Sequence, residues 1–261
     1  MPFTKKPIIV SLSGGKDSTA MLHRLLEKKA TIVGVLHFDG GWEHEEIGPH
    51  LRQIVRKTGL TITTVRPLLD FTTCFADIQV TANQDHPAEN IKKGQPRHRG
   101  YGWPSKSRRW CTDIKTRALK QAAKRIHPDA IHAIGYTIDE HVRAINPDQV
   151  QLRREGRTIY PLIDDAFTQA DSLSYCRELG YHWHGLYNHF SRVSCWCCPL
   201  RSLRDWRETK KHRPYTWVNL LELARRCPNH HQEFNHGLTV EQLAHRLENE
   251  TNGATTTPIP V

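Results

Sequence analysis

A short apolar run that breaks at two glycines and resumes as a helical pattern constrains this chain more than any other feature. Residues 7–12 read PIIVSL, residues 13–18 read SGGKDS, and apolar side chains then recur at Met21, Leu22, Leu25 and Leu26. A short apolar run bounded by turn residues marks a buried strand, and a spacing of three and four marks a helix face, here 17–29. The alternation repeats. TIVGVLHF at 31–38 predicts a second strand, 44–58 a helix closed by Gly59, TITTV at 61–65 a third strand, 114–126 a helix, and AIHAIGYT at 130–137 a fourth strand. Such alternation predicts an α/β chain, a Rossmann-like doubly wound parallel sheet with helices on both faces. Ligands of these sheets bind beyond the carboxyl ends of the strands. Gly14, Gly15, Asp39 and Gly135 all fall at or just past such ends.

After about residue 155 the rhythm weakens. YPLIDD leads to a helix near 168–179, then to the cysteine-rich SRVSCWCCPLRS, then to helices near 202–211 and 215–226. The expected organisation is a nucleotide-binding α/β core over 1–160, a helical, cysteine-bearing extension over 161–249, and a disordered tail, ETNGATTTPIPV, over 250–261. Within the core, 86–110 carries proline, glycine, aromatic and basic residues and no acid after Glu89. It predicts a long functional loop without regular structure. The formal charge of +10 suits a polyanionic partner. The basic stretch 92–109 is the expected contact for DNA or RNA, with Tyr101, Trp103 and Trp110 available for base stacking. A solvated lid over the nucleotide is the competing reading. No stretch resembles a signal peptide or a membrane span, so a cytoplasmic protein is expected. Its seven cysteines then read as reduced thiols or metal ligands.

Glycines at 14 and 15 let the backbone turn tightly and approach a ligand. The helix behind them offers unpaired N–H groups and a positive dipole end, which favour phosphate. Lys16 adds a mobile positive charge, and Ser13 and Ser18 add hydroxyls. The pattern G-x-x-x-x-G-K-S/T of the common P-loop is not met. SGGKDS resembles instead the pyrophosphate (PP) loop of the adenine nucleotide alpha-hydrolase superfamily, whose N-type ATP pyrophosphatases split ATP between its alpha and beta phosphates. The resemblance implies ATP or a related adenine nucleotide held by Ser11, Ser13, Gly14, Gly15, Lys16, Asp17 and Ser18. Asp39 would meet ribose or adenine, and Gly135 and Arg143 complete the set. It also implies Mg2+ on the phosphates, with Lys16 and Asp17 catalytic and Asp17 either magnesium-linked or helix-capping. HFDGGWEHEEI, at 37–47, is similar to the aspartate–threonine–glycine stretch of the phosphoadenylyl-sulfate reductase branch, with Gly40 in place of the threonine.

Cys195 and Cys198 form a C-x-x-C pair able to ligate one metal centre from a tight turn. Cys111 lies just before a predicted helix and Cys227 just after one. Four thiolates from these three places suit an iron–sulfur cluster or a zinc. Cys74 and Cys176 lie in apolar patterns and are expected in the core. The layout resembles phosphoadenylyl-sulfate reductase-like proteins, in a subgroup related to DNA phosphorothioation proteins and many phage proteins. WCTDIK at 110–115 approximates the family's tryptophan–cysteine–threonine segment, with Lys115 one place early. GYTIDEHVR at 135–143 is similar to a motif that carries arginine where Thr137 stands. By this resemblance Cys111, Cys195 and Cys198 ligate a 4Fe-4S cluster, with Zn2+ the alternative. Cys227 is the expected fourth ligand and Cys197 its competitor. A sulfur-donor or electron-donor protein would serve such a centre.

One family feature is missing. Sulfonucleotide reductases carry a nucleophilic cysteine in a C-terminal glutamate–cysteine–glycine motif, whereas the last cysteine here is Cys227, followed by Pro-Asn-His-His. The leading expectation is therefore an enzyme that splits ATP at the alpha phosphate, activates an acceptor and supports iron–sulfur-dependent sulfur transfer to it, nucleic acid being one candidate acceptor. A genuine adenylyl- or phosphoadenylyl-sulfate reductase releasing sulfite is the second reading. A non-catalytic nucleotide- or DNA-binding phage or defence component is the third.

Overall fold

The sheet is organised round its first strand. In the computed structural model, which describes residues 6–229 and 231–253, β1 (Ile8–Ser11) leads to α1 (Lys16–Glu27), β2 (Ile32–Phe38), α2 (Ile47–Thr58) and β3 (Ile62–Val65). There follow α3 (Phe71–Ala76), β4 (Gln79–Thr81), β5 (Pro96–Arg99), α4 (Trp110–Ile126), β6 (Ile131–Ala133), α5 (His141–Ala144), α6 (Pro147–Arg154) and β7 (Thr158–Ile159). The chain then turns helical: α7 (Pro161–Asp164), α8 (Gln169–Glu178), α9 (Leu186–His189), α10 (Leu203–His212), α11 (Pro214–Arg225) and α12 (Val240–Gly253).

Five strands pair in the order β3-β2-β1-β6-β7, all parallel. The chain winds outward from β1 to β3, then returns to start again at β6 on the other side of β1. That reversal is the topological switch point, and the crevice it opens lies at the carboxyl ends of β1 and β6. A central parallel strand is covered on both faces, so it is apolar throughout. Ile8, Ile9 and Val10 are fully buried. Successive side chains alternate between faces. Ile8 and Val10 join Met21, Leu22 and Leu25 of α1 with Leu162 and Cys176, while Ile9 joins Leu36, Leu119 and Ala123. The α/β doubly wound sheet predicted from the alternation is what forms.

The chain divides into two compact units that do not follow the boundary expected at residue 160. One comprises residues up to 67 with 113–194, and the other 68–112 with residues from 195 onward. Residues 161–178 join the first unit because α7 and α8 pack on α1. Residues 86–110 are not irregular throughout. β5 within them pairs antiparallel with β4, Gln79 opposite Arg99 and Val80 opposite His98. The second unit has an aromatic core, with the Trp103 ring 4.5 Å from Phe75 and 4.6 Å from Phe234, and Trp206 5.2 Å from Phe234. The tail expected over 250–261 begins as helix, since α12 runs to Gly253, and 254–261 lie outside the described residues. No helix among the described residues is long and apolar enough to cross a membrane.

Candidate nucleotide loop and thiol cluster

The chain leaves β1 through Leu12, whose N–H donates to the Leu36 carbonyl at 2.8 Å, and turns at Gly14 with φ +80°. A side chain at 14 would be strained by that φ, and its Cβ would also lie 2.9 Å from the Ile47 side chain. The two serines close the turn on themselves. The Ser13 N–H donates to Ser18 Oγ at 3.1 Å, the hydroxyls lie 3.0 Å apart, and Ser18 Oγ donates to the Gly15 carbonyl at 3.0 Å. Gly15 occupies the N-cap of α1 and supplies no capping side chain. The first N–H groups of α1 are thus left to other partners.

One such partner, and a second contact to the turn, come from the segment after α8. The Lys16 N–H donates to the Tyr187 hydroxyl at 2.7 Å, and Trp183 Nε1–H donates to the Gly14 carbonyl at 2.7 Å. Neither residue is legible as part of the site in the sequence.

Lys16 is not the mobile cation expected from sequence. Its side chain is buried, with Nζ 2.8 and 2.9 Å from the Asp17 carboxylate oxygens and 3.3 Å from Gln169 Oε1. Burial raises the Asp17 pKa from its ordinary value, and the Lys16 charge opposes that rise. Gly135 follows β6 where backbone passes over the start of α1. A Cβ there would lie 3.1 Å from the Asp17 carbonyl and the Ser18 Cα, so glycine permits the close approach. Thr137, where the family motif carries arginine, is fully buried. A charged side chain in that space would be desolvated at high cost.

Ser11 ends β1. Asp39 sits just past β2, as predicted, and its carboxylate accepts from the Gly41 N–H at 3.0 Å and from Arg66 Nε at 3.1 Å. Glu43, which sequence reading passed over, is raised to about 7 chiefly by burial, with Lys115 lowering and Asp39 raising it. Arg143 lies over the Tyr136 ring at 4.3 Å and donates to Glu140 at 2.6 Å.

In the second unit the cysteines gather on a turn. The Cys198 N–H donates to the Cys195 carbonyl at 3.1 Å, and the Arg201 N–H donates to the Cys198 carbonyl at 3.2 Å. Buried Asn235 pins the turn through Nδ2, which donates to the Pro199 and Arg201 carbonyls. Cys197 is fully buried. Burial first, then the neighbouring Cys195 and Cys198, pushes its thiol pKa up. Cys111 falls in the first turn of α4 rather than ahead of it. Burial raises its pKa, and so does Cys198, which is close enough for charge on one to act on the other. Cys227 has different partners, its thiol lying 3.3 Å from the Asn229 carbonyl and 3.5 Å from Gln232 Oε1. Arg201 is buried beside these thiols. Its Nη1 donates to the Trp196 carbonyl at 3.1 Å, and its guanidinium lies 5.2 Å over Trp206. None of the seven cysteines forms a disulfide, and Cys74 and Cys176 are buried as expected.

Soft thiols on one turn, joined by Cys111 and backed by a buried cation, are a donor set that fits a thiolate-held metal group. Thiolates round one zinc at Zn–S of about 2.3 Å would stand roughly 3.8 Å apart. Among the described residues, no three of these cysteine sulfurs lie within 4.8 Å of one another.

Comparison with known proteins bears on the loop. Residues 7–76 match the phosphoadenosine phosphosulfate reductase domain. The match covers the SGGKDS loop, β2, Asp39 and α2. Over 245 residues the chain is 23% identical to the uncharacterized protein MJ0066 of Methanocaldococcus jannaschii, an alignment covering 87% of this chain and 43% of that one. The chain thus spans less than half of that relative. Among solved structures, the U34-tRNA thiolase NcsA from Methanococcus maripaludis with its 4Fe-4S cluster aligns at 15% identity and a TM-score of 0.46, covering 85% of this chain and 72% of that one. An NH3-dependent NAD synthetase from Campylobacter jejuni aligns at 9% identity and a TM-score of 0.37, covering 99% and 90%.

Proposed function

We propose that this chain binds ATP or a related adenine nucleotide at the Ser13–Ser18 turn, splits it at the alpha phosphate and directs sulfur transfer to an activated acceptor. The observation that carries the reading is the phosphoadenosine phosphosulfate reductase domain match over residues 7–76, which includes a glycine turn at the switch point of a parallel sheet. An acceptor oxygen attacks the alpha phosphorus, the bond to the bridging oxygen breaks, and pyrophosphate leaves. Gly14 and Gly15 let the backbone close on the phosphate chain, and the α1 amides and Lys16 oppose the charge growing on the leaving group. Asp17, already beside Lys16, is the carboxylate for a phosphate-bound Mg2+. Asp39 and Arg143 are assigned to the nucleoside side of the crevice.

Cys111, Cys195 and Cys198, with Cys197 or Cys227 as the remaining thiolate, would hold a 4Fe-4S group. When bound, that group supplies a site for sulfur or electrons. The exposed basic residues of 92–109 are assigned to a nucleic-acid backbone.

Anaerobic incubation with alpha-labelled ATP, with and without DNA or RNA, tests the reaction: AMP or an adenylated acceptor and pyrophosphate are expected. Gly14→Ala and Gly14→Val should abolish nucleotide binding, read by calorimetry on variants whose folded state is confirmed by circular dichroism. Nucleotide binding without turnover would overturn the enzyme reading in favour of a binding module. Sulfite release from adenylyl sulfate with a thiol reductant would favour a reductase. Protein purified without oxygen should be brown and should lose iron in Cys195→Ser while keeping nucleotide affinity. A colourless, zinc-loaded protein would overturn the iron–sulfur assignment.

A further inference from the structure

The Tyr187 hydroxyl stands where a ligand oxygen would be expected. It accepts the first N–H of α1, that of Lys16, at 2.7 Å, and the Val193 backbone bonds the same oxygen. Backbone groups converging on one oxygen at a helix start are the arrangement a phosphate oxygen adopts there. The Lys16 N–H can point at one acceptor with good geometry, so the phenol and a phosphate oxygen exclude each other at that amide. The ammonium of Lys16 is engaged as well, by Asp17 and Gln169. At rest, the groups expected to grip a phosphate chain are held by the protein itself.

The segment that carries Tyr187 is built to hold this arrangement and to release it. Trp183, His184 and Gly185 have φ of +44°, +48° and +83°, three consecutive residues in the left-handed region, two of them not glycine. Residues held there persist only when their surroundings fix them. Trp183 supplies that fixing. Its indole N–H donates to the Gly14 carbonyl, its ring stacks on His50 at 4.6 Å, and it meets the Tyr187 ring edge-on at 4.8 Å. Trp183 and Tyr187 therefore grip the loop on either side of Gly15.

We propose that the Tyr187 hydroxyl is a place-holder for a phosphate oxygen. It occupies the first amide of α1 until a polyphosphate displaces it, and so sets the affinity of the loop. This rests on the reading that a nucleotide phosphate chain binds at Ser13–Ser18. A place-holder competes with the ligand, and removing it strengthens binding, whereas removing a merely structural support weakens it. A neutral hydrogen bond contributes about 0.5–1.5 kcal/mol, equivalent to roughly two- to twelvefold in affinity.

The test is calorimetric binding of Mg-ATP and of inorganic pyrophosphate to the wild type, Tyr187→Phe and Gly14→Ala. Tyr187→Phe should bind both ligands about two- to twelvefold more tightly. A gain for ATP alone would overturn the place-holder, because the displaced oxygen would not be one that phosphate replaces. Hydrogen exchange on the wild type gives a second readout that needs no variant: ATP should quicken exchange at 186–194 while slowing it at 13–19. Unchanged or weaker binding by Tyr187→Phe, or slower exchange at 186–194, overturns the place-holder while loss of binding in Gly14→Ala leaves the nucleotide reading standing. Equal binding by wild type and Gly14→Ala, or none by either, overturns both.

Discussion

Glu43 shares the carboxyl end of β2 with Asp39 and is held near pKa 7, mainly because burial penalises its charge. The folded chain therefore holds this proton more tightly than the unfolded chain. The stability it contributes is complete below about pH 4.5 and is lost as the pH rises through 7. Glu43→Gln keeps the uncharged shape. Its melting temperature should exceed that of the wild type at pH 8, with the gap closing towards pH 4.5, as followed by thermal denaturation across that range. A gap independent of pH would mean that the carboxylate is not the source. Sequence marks HFDGGWEHEEI as acidic without telling which of its acids has its charge penalised, since that depends on Lys115 and on the path of the chain after β2. The loop residues were legible because SGGKDS is local. Trp183 and Tyr187 were not, because their partners Gly14 and Lys16 are distant in sequence and meet them only in the folded unit. Lys16 was misjudged for a related reason: a lysine reads as solvated until the adjacent carboxylate and Gln169 enclose it.

Helix α1 shows how much an element owes to one face. Met21, Leu22 and Leu25 are fully buried against β1 and the helices beside it, while Leu26 is only partly covered. Leu22→Ala should cost about 2–5 kcal/mol, and Leu26→Ala distinctly less, in urea denaturation. Equal losses would mean that the helix packs by a different face. Strands and helices with a clear period were readable to within a few residues. β7 was not, because two residues carry no period. The β4–β5 hairpin was masked by the glycines, prolines and positive charge that surround it. Helix α12 carries a start signal that is local in sequence. Thr239 accepts from the Gln242 N–H at 3.2 Å, and Gln242 Oε1 accepts from the Thr239 N–H at 2.9 Å, the reciprocal pair of a capping box.

At the scale of the molecule, charge and chain path matter most. With ten more positive than negative charges, the protein should be retained on a polyanionic resin. Replacing Lys92, Lys93, Arg108 and Arg109 by glutamate should lower the eluting salt concentration more than the same change at Arg117, Lys120, Lys124 and Arg125 on α4. Both sets are exposed and alter net charge equally. Equal shifts would show that only net charge counts. The division into units was not legible from composition, which placed one boundary at residue 160. Each unit is assembled from two separated stretches, and what joins them is packing, such as Trp103 on Phe234, that no local pattern announces. This has a consequence during synthesis. The hairpin and Trp103 leave the ribosome long before Phe234 does, so their aromatic surface must wait uncovered until Phe234 has emerged. A nascent chain stalled near residue 200 should therefore be unusually sticky and draw on chaperones, although every segment of its nucleotide-loop unit has already been made.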